Sequence, residues 1–142
     1  MRAQLTAEEC QLVQASFAQV DPVANRVAAM FYERLFELDP TLSALFKVDM
    51  ATQGARFMEK LAIAVKGLED LDEIAPFVET LGRRHGGFGV KTKDYDTVSD
   101  ALLWALEQHL GPAFGDDVRA AWSAAYEALS TMMIEAAAAQ AS

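Results

Sequence analysis

Residues 77–88 read FVETLGRRHGGF, a helical run from Phe77 to Arg84 that delivers His85 and meets a Gly86-Gly87 pair followed by the aromatic Phe88. The glycine pair is expected to stop the helix, leaving an imidazole aimed inward with its tip free. Histidine is the commonest metal ligand among side chains, and the bond made by one ring nitrogen decides which nitrogen is left for a metal. A histidine at a helix C-terminus also has a simpler use, because an imidazolium there complements the helix dipole. The remainder of the chain has to choose between these readings.

Upstream, from about Met50 to Gly67, Phe57, Leu61, Ala64, Val65 and Leu68 recur at intervals of three and four, as a core-facing helix requires. Gln53 sits one turn earlier on that stripe. Nearer the N-terminus, Thr6 and Glu9 form a capping box that opens a helix carrying Leu12, Val13, Ala15, Phe17 and Val20. Asp21-Pro22 ends it and starts a second helix with Val27, Met30, Phe31, Leu35 and Leu38, proline being suited to a first helical turn. Asp39-Pro40 repeats the punctuation and opens a short turn, Pro40 to Leu45, before Phe46 and a polar link.

Leu71 to His85 forms the next helix, and Gly89-Val90-Lys91-Thr92 turns the chain into Tyr95, Val98, Ala101, Leu102, Ala105 and Leu106. Gly111-Pro112 stops that segment. The last helix starts near Asp116-Asp117, whose charges favour a helix N-terminus, and runs through Trp122, Tyr126, Leu129, Met133 and Ile134 into an alanine-rich tail. No stretch alternates like a strand. Five long helices, two shorter pieces and no repeats predict one all-α domain over residues 1–142, which periodicity leaves open as a bundle, a globin or a helical adaptor. The two Asp-Pro breaks change helix direction with almost no loop, which suits steeply crossed helices better than an up-and-down bundle.

Composition narrows the function. The formal charge of -9 repels phosphate backbones and anionic lipid, so neither nucleic acid nor a membrane is an expected partner. No apolar run approaches the roughly 18 residues that span a bilayer, and the polar start MRAQLTAEECQ lacks a signal-peptide core. A cytoplasmic protein is expected. Cys10 is the only cysteine, so an internal disulfide is excluded and haem held through thioethers has no C-x-x-C-H run to use. Cys10 reads as a small core hydrophobe.

The segments FYERLF with Tyr32, DPTLSALF with Phe46, Gln53, LGRRHGGFGV with His85, DYDTVSDALLWAL and LGPAFGDDVRAAWSAAYEAL together resemble a single-domain bacterial globin from Thr6 to Ala137. Tyr32 and Phe46 lie 14 apart, and Gln53 precedes His85 by 32, an interval similar to that between distal and proximal globin positions. GRRH, GVK and LGPAF are similar to neuroglobin; Tyr32 with Gln53 is similar to the haem domain of flavohaemoglobins. The resemblance implies an all-α globin fold and non-covalent haem b (iron protoporphyrin IX) with His85 as the proximal iron ligand. Phe46 would press on the porphyrin face. Tyr32 and Gln53 would both donate hydrogen bonds to bound dioxygen, although Tyr32 also reads as a core tyrosine bonded to a carbonyl and Gln53 as a solvated residue.

By the same resemblance Phe57 narrows the distal pocket, and Arg56 and Arg84 reach the haem propionates or remain ordinary surface charges. Val90, Val98 and Leu102 match haem-lining positions, though their types would serve any helical core. Gln53 stands where neuroglobin has histidine, and His109, expected to face solvent, is a poor replacement, so the sixth iron position is expected to stay open. Tyr95 matches a tyrosine near the proximal histidine, but its carboxylate partner falls on Ala137, with Glu135 two residues early. Reversible dioxygen binding is therefore the leading expectation, with nitric oxide or carbon monoxide as further ligands. Nitric oxide dioxygenation is the enzymatic alternative; it would depend on a separate reductase, since no flavin or nicotinamide domain is read here. A gas sensor or a haem-free helical module is the third.

Overall fold

The structure is a computed structural model that describes residues 5–45, 49–87 and 91–141. Within them six α-helices form: α1 (Ala7–Val20), α2 (Ala24–Leu38), α3 (Met50–Lys66), α4 (Leu71–Gly87), α5 (Thr92–Leu110) and α6 (Asp116–Ala141). Three 3-10 turns, Asp21–Val23, Pro40–Leu45 and Gly111–Ala113, join them. The six long helices among the described residues are one more than the five the sequence pattern predicts. No strand occurs among the described residues.

Local chemistry sets the boundaries. Thr6 Oγ1 accepts from the Glu9 amide while the Glu9 carboxylate accepts from the Thr6 amide, so the capping box of α1 is real. Asp49 caps α3 by accepting from the Thr52 amide. Gly111 ends α5 at φ 55°, a left-handed conformation in which a Cβ would be strained. α4 is helical as far as Gly87, the second residue of the glycine pair, and residues 88–90 lie outside the described ones.

Packing pairs elements that are distant in sequence. α4 and α1 lie on α6, and α2 lies on both α5 and α3. An up-and-down bundle would instead pair each helix chiefly with its sequence neighbour. The core holds Val13, Val20, Val27, Phe31, Leu35 and Leu106, each almost fully buried. Cys10 is buried among them, as expected of a small apolar residue. Trp122 is 2% exposed, stands 6.3 Å from Phe17 and donates its indole N–H to Ser16 Oγ at 2.8 Å, pinning α6 to α1. No helix among the described residues is long and apolar enough to cross a membrane.

Candidate functional site

α4 places His85 half-buried, with Nδ1 2.6 Å from the Leu81 carbonyl one turn earlier. A carbonyl oxygen only accepts, so Nδ1 carries the proton and Nε2 keeps a free lone pair. Burial pulls the imidazole below its ordinary pKa; the Leu81 carbonyl acts the other way, and the Lys60 charge adds to the lowering. The ring is thus held neutral, the form that binds a metal. An imidazolium complementing the helix dipole would require the opposite shift.

The Tyr95 ring lies 6.4 Å from that of His85, and Tyr126 Oη donates to the Tyr95 carbonyl at 2.7 Å, tying the start of α5 to α6. Burial raises the pKa of both phenols. The His85 imidazole proton goes to Leu81 and not to Tyr95. On α6, Ala137 is half-buried and Glu135 exposed, so neither residue brings a carboxylate to this ring.

A second cluster forms where α2 crosses α3. A Cβ on Gly54 would stand 3.1 Å from Ala28 Cβ, and this close approach lets the neighbouring side chains meet across the two helices. Gln53 Nε2 donates to Tyr32 Oη at 3.4 Å. The phenolic proton is not used in that contact, because the oxygen acts as acceptor. Tyr32 is 6% exposed, and burial raises its pKa against the opposing pull of the Gln53 bond, so it remains a neutral donor.

Aromatic packing fixes the Tyr32 ring. Phe57 stacks on Phe31 with centroids 4.6 Å apart and planes 2° from parallel, and its ring stands 6.0 Å from Tyr32 at 67°. Phe31 meets Tyr32 edge-on at 4.8 Å. Phe57 therefore belongs to the Tyr32 cluster. Val98 is half-buried, and Leu102 is buried against a small apolar cavity with Leu61, Val65 and Trp122. Arg56 and Arg84 are exposed. His109, in the last turn of α5, is half-buried rather than solvent-facing. Phe46 and Val90 lie outside the described residues.

Sequence reading missed three contributors: Phe31, the Leu81 carbonyl and Gly54. Phe31 looks like any core residue until its partner across α3 is known, and a carbonyl has no sequence signal at all. Gly54 did carry a signal, since a glycine inside an otherwise regular helix implies a packing reason. No cluster of three or more His, Cys, Asp or Glu side chains able to hold a metal ion occurs among the described residues.

Comparison with known proteins supplies the family. The profile described as Globin matches residues 29–133, from the middle of α2 to well inside α6. The chain belongs to the globin family. A globin fold accounts for the pairing of α1 and α4 with α6 and of α2 with α5 and α3. This globin is similar to a flavohemoprotein of Halalkalibacterium halodurans, 29% identical over 136 residues, which cover 94% of this chain and 33% of the relative. It is also similar to a neuroglobin of Danio rerio, 33% identical over 118 residues, covering 73% of this chain and 74% of the relative. The globin thus spans about a third of the flavohemoprotein's length.

Proposed function

We propose that this globin holds haem b non-covalently through His85 Nε2 and binds dioxygen reversibly beside Tyr32 and Gln53. The observation that carries the reading is the neutral, half-buried imidazole of His85 with Nδ1 committed to Leu81, which leaves one bare nitrogen of the type that ligates haem iron. Membership of the globin family and the two relatives support haem-based gas binding. The donor set fits the group: one imidazole, apolar Val98 and Leu102 for the porphyrin faces, and the exposed guanidinium groups of Arg56 and Arg84 for the propionates. The family resemblance would add Phe46 and Val90 to the haem contacts, and both lie outside the described residues.

Haem, when bound, supplies an iron with one position for the imidazole and one for a diatomic gas. The protein's own work is then hydrogen bonding and exclusion of water. Tyr32 Oη keeps its proton because burial opposes ionisation, and it presents that proton to a ligand carrying partial negative charge. Gln53 orients the phenol by donating to its oxygen. Phe31 and Phe57 wall the cluster with apolar surface, which strengthens the donors by keeping water away. Nitric oxide and carbon monoxide fit the same space but carry less charge, so Tyr32 discriminates in favour of dioxygen.

Reversible binding is preferred to oxidative chemistry on one specific ground. A carboxylate on Nδ1 would raise the basicity of the proximal ligand and favour O–O cleavage, whereas the Leu81 carbonyl does so less. Nitric oxide dioxygenation would in addition need a reductase to return the iron to its ferrous form. The test is haem titration of the apoprotein with His85→Gly as the comparison. One haem per wild-type chain, weak uptake by the variant and rescue by added imidazole are expected. Equal uptake by both proteins would overturn the assignment.

A further inference from the structure

We propose that Gly82 is a positioning residue for His85: its missing side chain lets α4 lie directly on the backbone of α6, and that contact sets where the imidazole stands. The inference rests on His85 being the haem ligand. A Cβ on Gly82 would fall 2.3 Å from the Met133 carbonyl oxygen, 2.5 Å from Met133 Cα and 2.7 Å from its carbonyl carbon. All three are backbone atoms inside α6, held by the helix's own hydrogen bonds, so none can rotate away as a flexible side chain would.

Two further observations make this contact more than ordinary packing. First, α6 is the principal partner of α4 in the fold, so the seam at Gly82 is where the helix carrying His85 is anchored. Second, Gly82 follows Leu81, whose carbonyl fixes His85 Nδ1, and precedes His85 by three residues. The anchor on α6 and the acceptor that orients the ring therefore lie in one helical turn. Helices move as rigid units over such a distance, so displacing Gly82 displaces Leu81 and His85 with it. Relieving a Cβ from 2.3 Å to the 3.4 Å where ordinary contact begins requires a shift of about 1 Å. A metal ligand displaced by that much cannot keep its geometry.

The experiment records the iron–imidazole stretching band of the haem-loaded, reduced, gas-free protein by resonance Raman. Gly82→Ala is expected to move the band beyond the wild-type linewidth. Ser16→Ala, which weakens the tie between α1 and α6 without touching the Gly82 seam, is expected to destabilise the protein and leave the band in place. A Gly82→Ala band coincident with wild type overturns the proposal, as does an equal displacement in Ser16→Ala. Should Gly82→Ala fail to fold, Val78→Ala decides, because Val78 is 2% exposed one turn earlier on the same face of α4 and its truncation relaxes the same seam. An unmoved band in Val78→Ala is then the refuting result. Absence of any iron–imidazole band in the wild-type protein would instead refute the role of His85 itself.

Discussion

Tyr32→Phe removes one oxygen from a site that is otherwise unchanged, and its consequences can be worked from the contacts. In the free protein the hydroxyl accepts a long bond, 3.4 Å, from Gln53 Nε2. Bonds of that length contribute at the low end of the usual range, so stability should fall by no more than about 1 kcal/mol. The ring stays clamped by Phe31 and Phe57, since those contacts do not involve the hydroxyl. With dioxygen bound, by contrast, the phenolic proton faces a partly charged acceptor in a site shielded from water. A bond of that kind is worth roughly 1.5 to 3 kcal/mol, which corresponds to a dissociation rate raised about tenfold to a hundredfold.

Stopped-flow replacement of dioxygen by carbon monoxide measures that rate directly. Carbon monoxide dissociation provides the internal control, because a nearly uncharged ligand gains little from the donor and its release should change less than twofold, by about 0.4 kcal/mol. An unchanged dioxygen off-rate would refute the role of Tyr32. Equal acceleration for both gases would also refute it, by showing that the substitution had opened the pocket rather than removed a bond.

Phe57→Leu replaces the ring stacked on Phe31 with a smaller side chain and opens the space beside Tyr32, so carbon monoxide association, followed by flash photolysis, should speed up. Ser16→Ala leaves the buried Trp122 indole N–H without its acceptor, and the denaturant midpoint should fall by the equivalent of about 1 to 3 kcal/mol with unfolding still cooperative. Burial raises the pKa of Tyr32 and Tyr126, so the native state keeps their protons above the pH at which the unfolded chain gives them up. Their contribution is complete below about pH 10 and declines as pH rises past it, by roughly 1.4 kcal/mol per pH unit for each phenol. Alkaline denaturation of wild type and Tyr126→Phe checks this: the variant should lose stability less steeply.

Much of the fold was legible because its signals are local. The Thr6–Glu9 capping box, the Asp21-Pro22 and Asp39-Pro40 breaks and the three-and-four spacing of Phe57, Leu61 and Val65 each act within a turn or two. At the candidate site, His85, Tyr32, Gln53 and Phe57 were visible as residue types at family spacings, and the structure brings Tyr32, Gln53 and Phe57 into one cluster. What escaped was everything that depends on a partner from another helix: the Phe31 ring on Phe57, the Ala28 methyl facing Gly54 and the Met133 backbone beneath Gly82. No periodicity within one helix encodes those contacts, since each is a property of two helices meeting.

The central claim, a haem held by His85 with an open position beside Tyr32, is tested most directly by visible spectra of the haem-reconstituted protein. They would be recorded first reduced and gas-free, then after admission of air. The account predicts one broad band in the reduced protein, giving way to two sharp bands in air and returning when the gas is removed. Sharp split bands before any gas is added would contradict it by revealing a second internal ligand, and failure to acquire any haem spectrum would contradict it outright.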